Sequence, residues 1–277
     1  MPELPEVETI FCGLKEKILN WKITDIIVKE KKLIAYPEKS DFIEGIKNNK
    51  IKDIYRRGKY IIFNLKNKKD LIIHLRMTGK LLLKETNQSI DKHTHIIFKL
   101  AKNNCKQELR FNNMRKFGRT YLVDETQWRP AGNLNNLGPE PLADDFKPEN
   151  FRDKFKNRSA KIKSLLLKQG FIAGVGNIYA DEALFEAGIN PKRKANTLTE
   201  EEIEKLYYTI KSVLKKGIKY CGTSVQNYVN EKGETGSFQE KLKVYNQEGE
   251  KCQNCDSQIK KMKVGGRGTH YCPQCQQ

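Results

Sequence analysis

The chain has 277 residues, which is long enough for two domains that each bury a hydrophobic core. It carries 52 lysines and arginines against 34 aspartates and glutamates, and the formal charge of +18 is far more than solubility needs. Nucleic acid is therefore the leading expected partner, although a lysine-rich composition bias would also produce such a charge. No apolar run approaches the roughly 20 residues of a membrane span, so a membrane-spanning helix is not expected.

The first predicted element is a helix near the N-terminus, and a region of short strands follows it. The helix has an apolar face formed by Val7, Ile10, Phe11, Leu14 and Ile18. Clusters of Gly, Asn and Lys then separate a series of β-rich runs, at residues 60–65, 71–75, 80–83, 95–98 and 119–123. Such a series without intervening helices predicts an antiparallel sandwich or barrel, and we assign residues 1–127 to this domain.

The second half of the chain changes to a helical period. Residues 128–150 hold four of the nine prolines and are predicted to be a linker. Three helices are predicted beyond it, and the last begins with a capping box formed by Thr199 and Glu202. Their apolar residues are Ile162, Leu165, Leu166 and Leu167, then Ile178, Leu184 and Phe185, then Ile203, Leu206, Ile210, Val213 and Leu214. We assign residues 151–222 to a helical domain and the chain to the α+β class.

The C-terminal region contains two Cys-x-x-Cys pairs, Cys252 with Cys255 and Cys272 with Cys275. Their separation by sixteen residues is typical of a tetrahedral structural zinc site. Disulfides are the alternative, but no secretory segment is visible and the lysine-rich chain looks cytosolic, where thiols stay reduced. We therefore predict that residues 246–277 form a finger holding one Zn²⁺, with a hairpin that carries Arg267 at its tip.

A tight apolar turn at residues 170–177 leads into the second predicted helix. It places Gly174, Gly176 and Asn177 at a helix N-terminus, where free amides can bind a phosphate. Arg158, Lys161 and Lys163 precede it, so a phosphate clamp on DNA or RNA is predicted. The alternative is that the glycines only close a tight connection between two helices.

The N-terminus has the residues of a reactive site. Met1 precedes a small residue, so processing is expected to leave Pro2 with a terminal secondary amine, which can attack an aldehyde-like carbon and give a cationic iminium. Glu3 and Glu6 place carboxylates beside that amine. The alternative is structural, since acidic residues and Pro5 are common in any first helical turn.

The opening residues 2–9, Pro-Glu-Leu-Pro-Glu-Val-Glu-Thr, resemble the start of formamidopyrimidine-DNA glycosylases. Further motifs are similar to that family in order and spacing along nearly the whole chain. They lie at residues 57–60 (RGKY), 74–79 (HLRMTG), 92–95 (KHTH), 115–118 (RKFG), 137–142 (LGPEPL), 176–179 (GNIY) and 268–273 (GTHYCP). The resemblance implies an N-terminal β-sandwich with an N-terminal helix, a helix-two-turn-helix domain and a C-terminal Cys₄ zinc finger.

The resemblance also implies roles for individual residues. Pro2 is expected to be the nucleophile at C1′ of the damaged nucleotide and Glu3 the proton donor that helps to open the sugar. Lys59 and Arg267 are expected to transfer protons in the two successive eliminations. The resemblance implies DNA contacts at His93, Arg115, Arg158 and Asn177, and Lys163 is expected to be a further contact because of its charge near the glycine turn.

Chemistry at C1′ requires the nucleotide to be flipped out of the duplex and the gap to be filled. Met77, Arg115 and Phe117 match the family's wedge, in which apolar groups replace lost stacking and a guanidinium bonds the orphaned cytosine. Without the resemblance, Met77 and Phe117 would be interpreted as core residues. Residues 223–245 match the mobile loop that covers the flipped base.

One departure from the family motif is visible at Asn113, where an aspartate is usual. The amide keeps hydrogen bonding but loses the charge. If the carboxylate helps to aim Arg115, discrimination of the opposite base is expected to be looser in this protein.

Three interpretations of function remain open from the sequence. The first is a glycosylase and lyase for oxidised purines, acting on duplex DNA that contains an oxidised base or an abasic site. The second is the related endonuclease VIII type, which prefers oxidised pyrimidines. The third is a zinc-bearing nucleic-acid-binding protein without catalysis. The opening motif and the wedge favour the first, for which we expect a monomer in the bacterial cytosol, associated with the nucleoid through DNA and not with a membrane.

Overall fold

The computed structural model describes residues 1–225 and 227–277, which form two compact units. Unit 1 comprises Met1–Asn135 together with Tyr220–Ser237, and unit 2 comprises Asn136–Lys219 together with Phe238–Gln277. Gln226, part of the predicted covering loop, lies outside the described residues. None of the helices in these described ranges is long and apolar enough to cross a membrane.

The described residues of unit 1 form two α-helices and two β-sheets. The helices are α1 (Leu4–Ile18) and α2 (Lys39–Ile46). The strands are β1 (Lys22–Val28), β2 (Ile34–Tyr36), β3 (Ile51–Arg57), β4 (Tyr60–Leu65), β5 (Lys69–His74), β6 (Gly79–Glu85), β7 (Thr94–Lys102), β8 (Cys105–Asn113) and β9 (Arg119–Asp124). One sheet has the order β1-β7-β8-β6 and the other β2-β9-β5-β4-β3.

The predicted sandwich is confirmed by a core that draws on both sheets. Buried apolar side chains come from the first sheet (Phe98, Phe111), from the second (Ile61, Phe63) and from α1 (Ile10). The described strands pair antiparallel, except that β2 runs parallel to β9. The core therefore holds α1 against the sandwich, and α1 packs on β3 and β4.

Three features of this unit were not predicted, namely the strands β1, β2 and β3 before the first predicted run, the helix α2 among them, and the strand β8. The helix α2 interrupts the strands, where an uninterrupted series was expected. The strand β8 was not among the predicted runs because it carries a charged pair in its interior. Arg110 donates to Glu108 at 2.7 Å, and both side chains are buried. A buried ion pair gives no apolar signal, so the strand is not evident from its pattern.

Unit 2 contains four helices and a β-hairpin. These are α3 (Pro148–Asp153), α4 (Ile162–Leu166), α5 (Asn177–Ala187), α6 (Glu200–Lys219), β10 (Lys260–Val264) and β11 (Arg267–Tyr271). The predicted capping box is confirmed, since Glu202 N donates to Thr199 Oγ1 and Thr199 N donates to Glu202 Oε2. The chain is thus an α+β protein with a sandwich, a helical region and a C-terminal hairpin.

Candidate functional site

The N-terminal end of α1 holds the predicted nucleophile and proton donor. Pro2 and Glu3 are both buried, and Glu3 is the N-cap residue. The carboxylate of Glu6 accepts from Glu3 N at 2.7 Å through Oε2 and from Thr223 N at 2.7 Å through Oε1. A carboxylate that bonds backbone amides at a helix start stabilises that end and fixes its backbone. The backbone amide of Glu3, next to Pro2, is therefore bonded within the start of α1.

The predicted lysine lies in the two-residue turn between β3 and β4. Gly58 has φ +55°, a left-handed conformation at the first turn position that favours glycine. Arg56 donates to the Gly58 carbonyl at 3.0 Å and also pairs with Glu8 of α1. Lys59 follows in this turn and is buried. The arginine thus ties the turn that carries Lys59 to the helix that carries Glu3.

His74 lies at the end of β5, directly opposite Tyr60 in the sheet. The two rings meet edge to face at 4.5 Å, and His74 Nδ1 accepts from Arg76 N at 3.0 Å. Burial, helped by the positive charges of Arg76 and Lys59, lowers the pKa of His74 to about 3. The imidazole is therefore neutral near pH 7, with Nε2 carrying the proton. The sequence indicates no role for His74, although the residue stands in the 74–79 motif.

The structure brings together the three residues predicted to form the wedge. Arg115 Nη1 lies 3.4 Å from Met77 Sδ, and its guanidinium carbon lies 4.8 Å from the centre of the Phe117 ring. Met77 is 41% exposed and Phe117 is 48% exposed. The alternative that these two side chains belong to the core is therefore wrong. An exposed apolar pair around a guanidinium has the composition needed to fill a gap in stacked bases.

The remaining predicted DNA contacts occupy different settings. Arg158 is exposed, while His93 and Asn177 are half-buried. Arg267 is exposed at the start of β11, after a Gly265–Gly266 turn in which both φ angles are positive. That pattern is the type I′ hairpin turn, which demands glycine or a similar residue.

Lys163 differs from the expected phosphate contact because its side chain is completely buried. Its ammonium lies 2.6 Å from Asp181 Oδ1 and donates to Thr269 Oγ1 at 2.8 Å and to Gly268 O at 3.0 Å. An ammonium has three protons, and these three groups match them. The geometry therefore favours an internal role. The sequence did not reveal it because a lysine in a first helical turn looks exposed.

The segment 220–237 packs within unit 1, through contacts with two elements. Glu231 is buried, pairs with Lys17 of α1 at 2.5 Å, and accepts from Leu83 N of β6 at 2.9 Å through its backbone oxygen. Gly222 has φ +82°, and a Cβ there would lie 2.8 Å from Glu6. Part of the predicted covering loop is thus attached to the helix whose N-cap is Glu3.

The four cysteines of the finger form a compact metal-binding cluster. Their sulfur atoms all lie within 4.8 Å of one another. Cys252 Sγ lies 3.8 Å from Cys275 Sγ, and Cys255 Sγ lies 3.4 Å from Cys272 Sγ. A tetrahedral zinc with Zn–S bonds of about 2.3 Å requires sulfur atoms about 3.8 Å apart. The predicted ligand set fits one structural zinc ion, which would join the two ends of the finger.

Comparisons with known proteins agree along the whole chain. Family models match the formamidopyrimidine-DNA glycosylase N-terminal domain at residues 1–120, its H2TH domain at 137–229, and a zinc finger found in FPG and IleRS at 249–277. The chain is 47% identical to the formamidopyrimidine-DNA glycosylase of Pelotomaculum thermopropionicum, covering 100% of this chain and 99% of that protein. It is 43% identical to the corresponding Desulfitobacterium hafniense protein, with 100% of both covered.

Solved structures give the same result. A Lactococcus lactis Fpg in complex with abasic-site-containing DNA aligns with a TM-score of 0.92 at 40% identity, covering 99% of each chain. A complex of the Lactococcus lactis protein with Fapy-dG-containing DNA aligns with a TM-score of 0.91 at 39% identity, covering 99% of this chain and 100% of that one.

Proposed function

The chain belongs to the formamidopyrimidine-DNA glycosylase family, a group of DNA glycosylases that act on damaged bases, and we propose that it couples base removal to strand cleavage. The substrates proposed are 8-oxoguanine and formamidopyrimidines in duplex DNA, and abasic sites. The observation that carries the proposal is the start of α1, where the buried Pro2 adjoins the N-cap Glu3 and the Glu6 carboxylate accepts from Glu3 N.

In the proposed reaction the free amine of Pro2 attacks C1′ after Met1 has been removed. The C1′–N bond to the damaged base breaks, the base leaves with a proton, and the nitrogen of Pro2 becomes an iminium. Glu3 donates the proton that opens the sugar ring. The positive nitrogen acidifies the C2′ hydrogen, so loss of that proton expels the 3′ phosphate, and a further elimination expels the 5′ phosphate.

Lys59 and Arg267 are the proposed proton-transfer groups of the two eliminations. The buried position of Lys59 in a fixed turn supports this role, because general acid–base catalysis requires a positioned group. The neutral His74 beside it is available as a hydrogen-bond donor. The wedge of Met77, Arg115 and Phe117 supports action on a flipped nucleotide, since the gap left in the duplex must be filled.

The remaining proposed DNA contacts are His93, Arg158 and Asn177. Lys163 is not proposed as a DNA contact. Its buried ammonium bonds to Gly268 and Thr269 and so holds the hairpin that carries Arg267. Known relatives support the substrate class, because Lactococcus lactis Fpg has been solved with Fapy-dG-containing and abasic-site-containing DNA. We propose that the protein acts as a monomer on DNA in the bacterial cytosol.

The test is borohydride trapping on a duplex with one 8-oxoguanine opposite cytosine. Reduction converts the iminium into a stable covalent adduct, which a denaturing gel resolves. We expect efficient trapping by the wild-type protein and loss of the adduct in Pro2→Gly. Pro5→Ala is the matched control, because Pro5 lies in the same helix start but has no terminal amine, and it should still trap. Mass spectrometry must first show that Met1 is absent.

A parallel duplex with thymine glycol separates the alternatives. Trapping mainly on thymine glycol would assign the protein to oxidised pyrimidines. DNA binding without any adduct, by protein that lacks Met1, would leave a binding protein without catalysis.

A further inference from the structure

Two loops carry the wedge, and one buried amide lies beneath both. The first loop, residues 75–79, carries Met77, and the second, residues 113–118, carries Arg115 and Phe117. We propose that Asn113 is a positioning residue that fixes the backbone of Arg115 and thereby sets how strongly the protein prefers cytosine opposite the lesion. This inference rests on the proposed function, because it concerns the base opposite a flipped nucleotide.

The side chain of Asn113 is fully buried and bonds to the first loop with both ends of its amide. Oδ1 accepts from Thr78 Oγ1 at 3.3 Å, and Nδ2 lies 3.5 Å from Leu75 O. An amide supplies one acceptor and two donors in a single rigid group. Asn113 therefore contacts the first loop on both sides of Met77.

The Thr78 hydroxyl extends this connection to Arg115. Its oxygen accepts from Arg115 N at 3.1 Å, while its proton is directed at Asn113 Oδ1. Thr78 is itself buried, so water does not compete strongly for these bonds. The backbone of Arg115 is thus joined through Thr78 to the amide of Asn113.

The second loop is also fixed by backbone bonds at Asn113. Asn113 N donates to His93 O at 2.9 Å, and Lys116 N donates to Asn113 O at 3.0 Å. The residue therefore anchors the start of the loop on which Arg115 stands, and through His93 it joins a predicted DNA-contacting residue to the same centre.

Packing around the amide leaves little room for another arrangement. A Cβ added to Gly118 would lie 2.3 Å from Asn113 Nδ2, and a Cβ added to Gly79 would lie 2.3 Å from Leu75 O. Real side chains do not tolerate such separations, so both loops require glycine where they approach the centre. The close packing at Gly79 and Gly118 therefore keeps both loops and the Asn113 amide in this arrangement.

The amide makes a contact here that the aspartate usual in the family motif could not make. A carboxylate in the same position would direct an acceptor oxygen at Leu75 O and would lose the Nδ2 donor. It would also bury a charge, which is costly without a partner. The loss of charge by itself predicts looser discrimination, but these contacts indicate that the hydrogen bond between Thr78 and Asn113 can position Arg115 instead.

The guanidinium of Arg115 contacts two weak, polarisable partners, the sulfur of Met77 and the ring of Phe117. Such contacts hold the guanidinium near one place but do not orient it as two parallel hydrogen bonds would. Its aim toward a cytosine therefore depends on where its backbone is held. A shift of that backbone should weaken a bond to cytosine more than it weakens stacking by Phe117.

The test compares single-turnover cutting of 8-oxoguanine opposite cytosine and opposite adenine. Each rate is normalised to cutting of a single-stranded abasic site by the same variant, since that substrate has no opposite base. We expect a clear cytosine preference in the wild type. Thr78→Val, and Asn113→Leu, which removes the acceptor for the Thr78 hydroxyl, should reduce this preference by about two- to tenfold, the range for losing one buried hydrogen bond.

Thr24→Val is the matched control, because the Thr24 hydroxyl also donates to a carbonyl, that of Lys99, but lies on β1. It should retain the wild-type preference. Thr78→Val is nearly isosteric, so it remains informative if Asn113→Leu fails to fold. Equal cutting opposite cytosine and adenine by the wild type, or an unchanged preference in Thr78→Val, would overturn the inference. Failure of the wild type to cut any of these substrates would instead overturn the proposed function.

Discussion

His74 is the residue whose ionisation is most clearly set by its position. It is buried between Tyr60 and the turn at Arg76, and the nearby positive charges of Arg76 and Lys59 disfavour a further cation. Its pKa of about 3 in the folded protein lies well below the value of about 6.5 in an unfolded chain. The unfolded state therefore binds the proton first as the pH falls.

This difference predicts a pH-dependent stability between pH 6.5 and pH 3. The contribution of neutral His74 is fully present above pH 6.5 and is lost as the pH falls through this window. Between pH 7 and pH 5, the unfolding free energy of His74→Asn should fall by about 2 kcal/mol less than that of the wild-type protein. Urea unfolding at several pH values measures this quantity.

Above pH 7 the same comparison provides an internal control. There the stability difference between His74→Asn and the wild type should not change with pH. An identical decline of both proteins between pH 7 and pH 5 would contradict the assignment of a neutral buried imidazole.

For individual residues, the sequence predicted a role correctly where that residue type has few alternative roles in proteins. Four cysteines at zinc spacing predicted the cluster that the structure forms. Met77 and Phe117 could not be separated from core residues by their type, because exposure depends on loops that fold against the sheets. The prediction that Lys163 contacts phosphate failed to anticipate its burial, because nothing in its local sequence indicates the Asp181 partner eighteen positions later.

Among the elements, α4, α5 and β11 meet at the Lys163–Asp181 pair. Both side chains are completely buried, and Asp181 also accepts from His270 N at 3.0 Å. Asn177, at the start of α5, donates to Gly268 O at 3.0 Å, the same carbonyl that Lys163 contacts. The residue before Gly268 is Arg267, so this junction fixes the backbone beside the proposed second proton-transfer group.

Lys163→Met should therefore destabilise the protein strongly. Removing one partner of a buried pair leaves an uncompensated charge and typically costs about 3–5 kcal/mol. Lys161→Met is the control at a neighbouring exposed lysine and should change the unfolding free energy by less than about 0.5 kcal/mol. Denaturant unfolding of both variants makes the comparison.

A double variant tests the electrostatic cause. Asp181→Asn should recover part of the stability lost in Lys163→Met, because the buried carboxylate is then neutral. If the double variant is less stable than Lys163→Met alone, packing rather than charge determines the loss.

Strands with a clear apolar pattern, such as β4, were predictable, and so was the α6 start at its capping box. The strand β8 and the helix α2 were not. In β8 the Arg110–Glu108 pair stands where apolar residues would be expected. The other guanidinium donors of Arg110 bond to the backbone carbonyls of Ser89, Gln88 and Glu85. Such tertiary hydrogen bonds cannot be inferred from spacing.

For the molecule as a whole, the charge of +18 predicts DNA binding that weakens steeply with salt. Each ionic contact with phosphate contributes about 0.9 to the slope of log K against log salt concentration. Arg158→Gln should reduce that slope by about 1, equally for damaged and undamaged duplexes. Fluorescence anisotropy over a salt series measures the slope.

Arg152→Gln is the matched control on an exposed arginine that already pairs with Glu200 at 2.8 Å. Its slope should stay at the wild-type value. If the slope is reduced in Arg152→Gln and unchanged in Arg158→Gln, the phosphate contact lies elsewhere on the helical region.

The α+β class and the order of sandwich, helices and finger were predictable because each part has its own periodicity or ligand spacing. The membership of residues 220–237 in the first unit was not. Their attachment depends on Glu6 and Lys17, which are 217 and 214 positions away from their partners Thr223 and Glu231. Local patterns carry no information over such separations.

That attachment has a consequence for synthesis on the ribosome. Residues 1–135 emerge first, but the segment that completes their unit follows only after 84 residues of the other unit, 136–219. At about 5–20 residues per second, the delay is roughly 4–17 s. The first unit therefore cannot finish folding in order of translation, and the nascent sandwich must remain incomplete while the helical region is made. A ribosome-stalled chain ending near residue 219 should be more sensitive to protease in its N-terminal part than the finished protein.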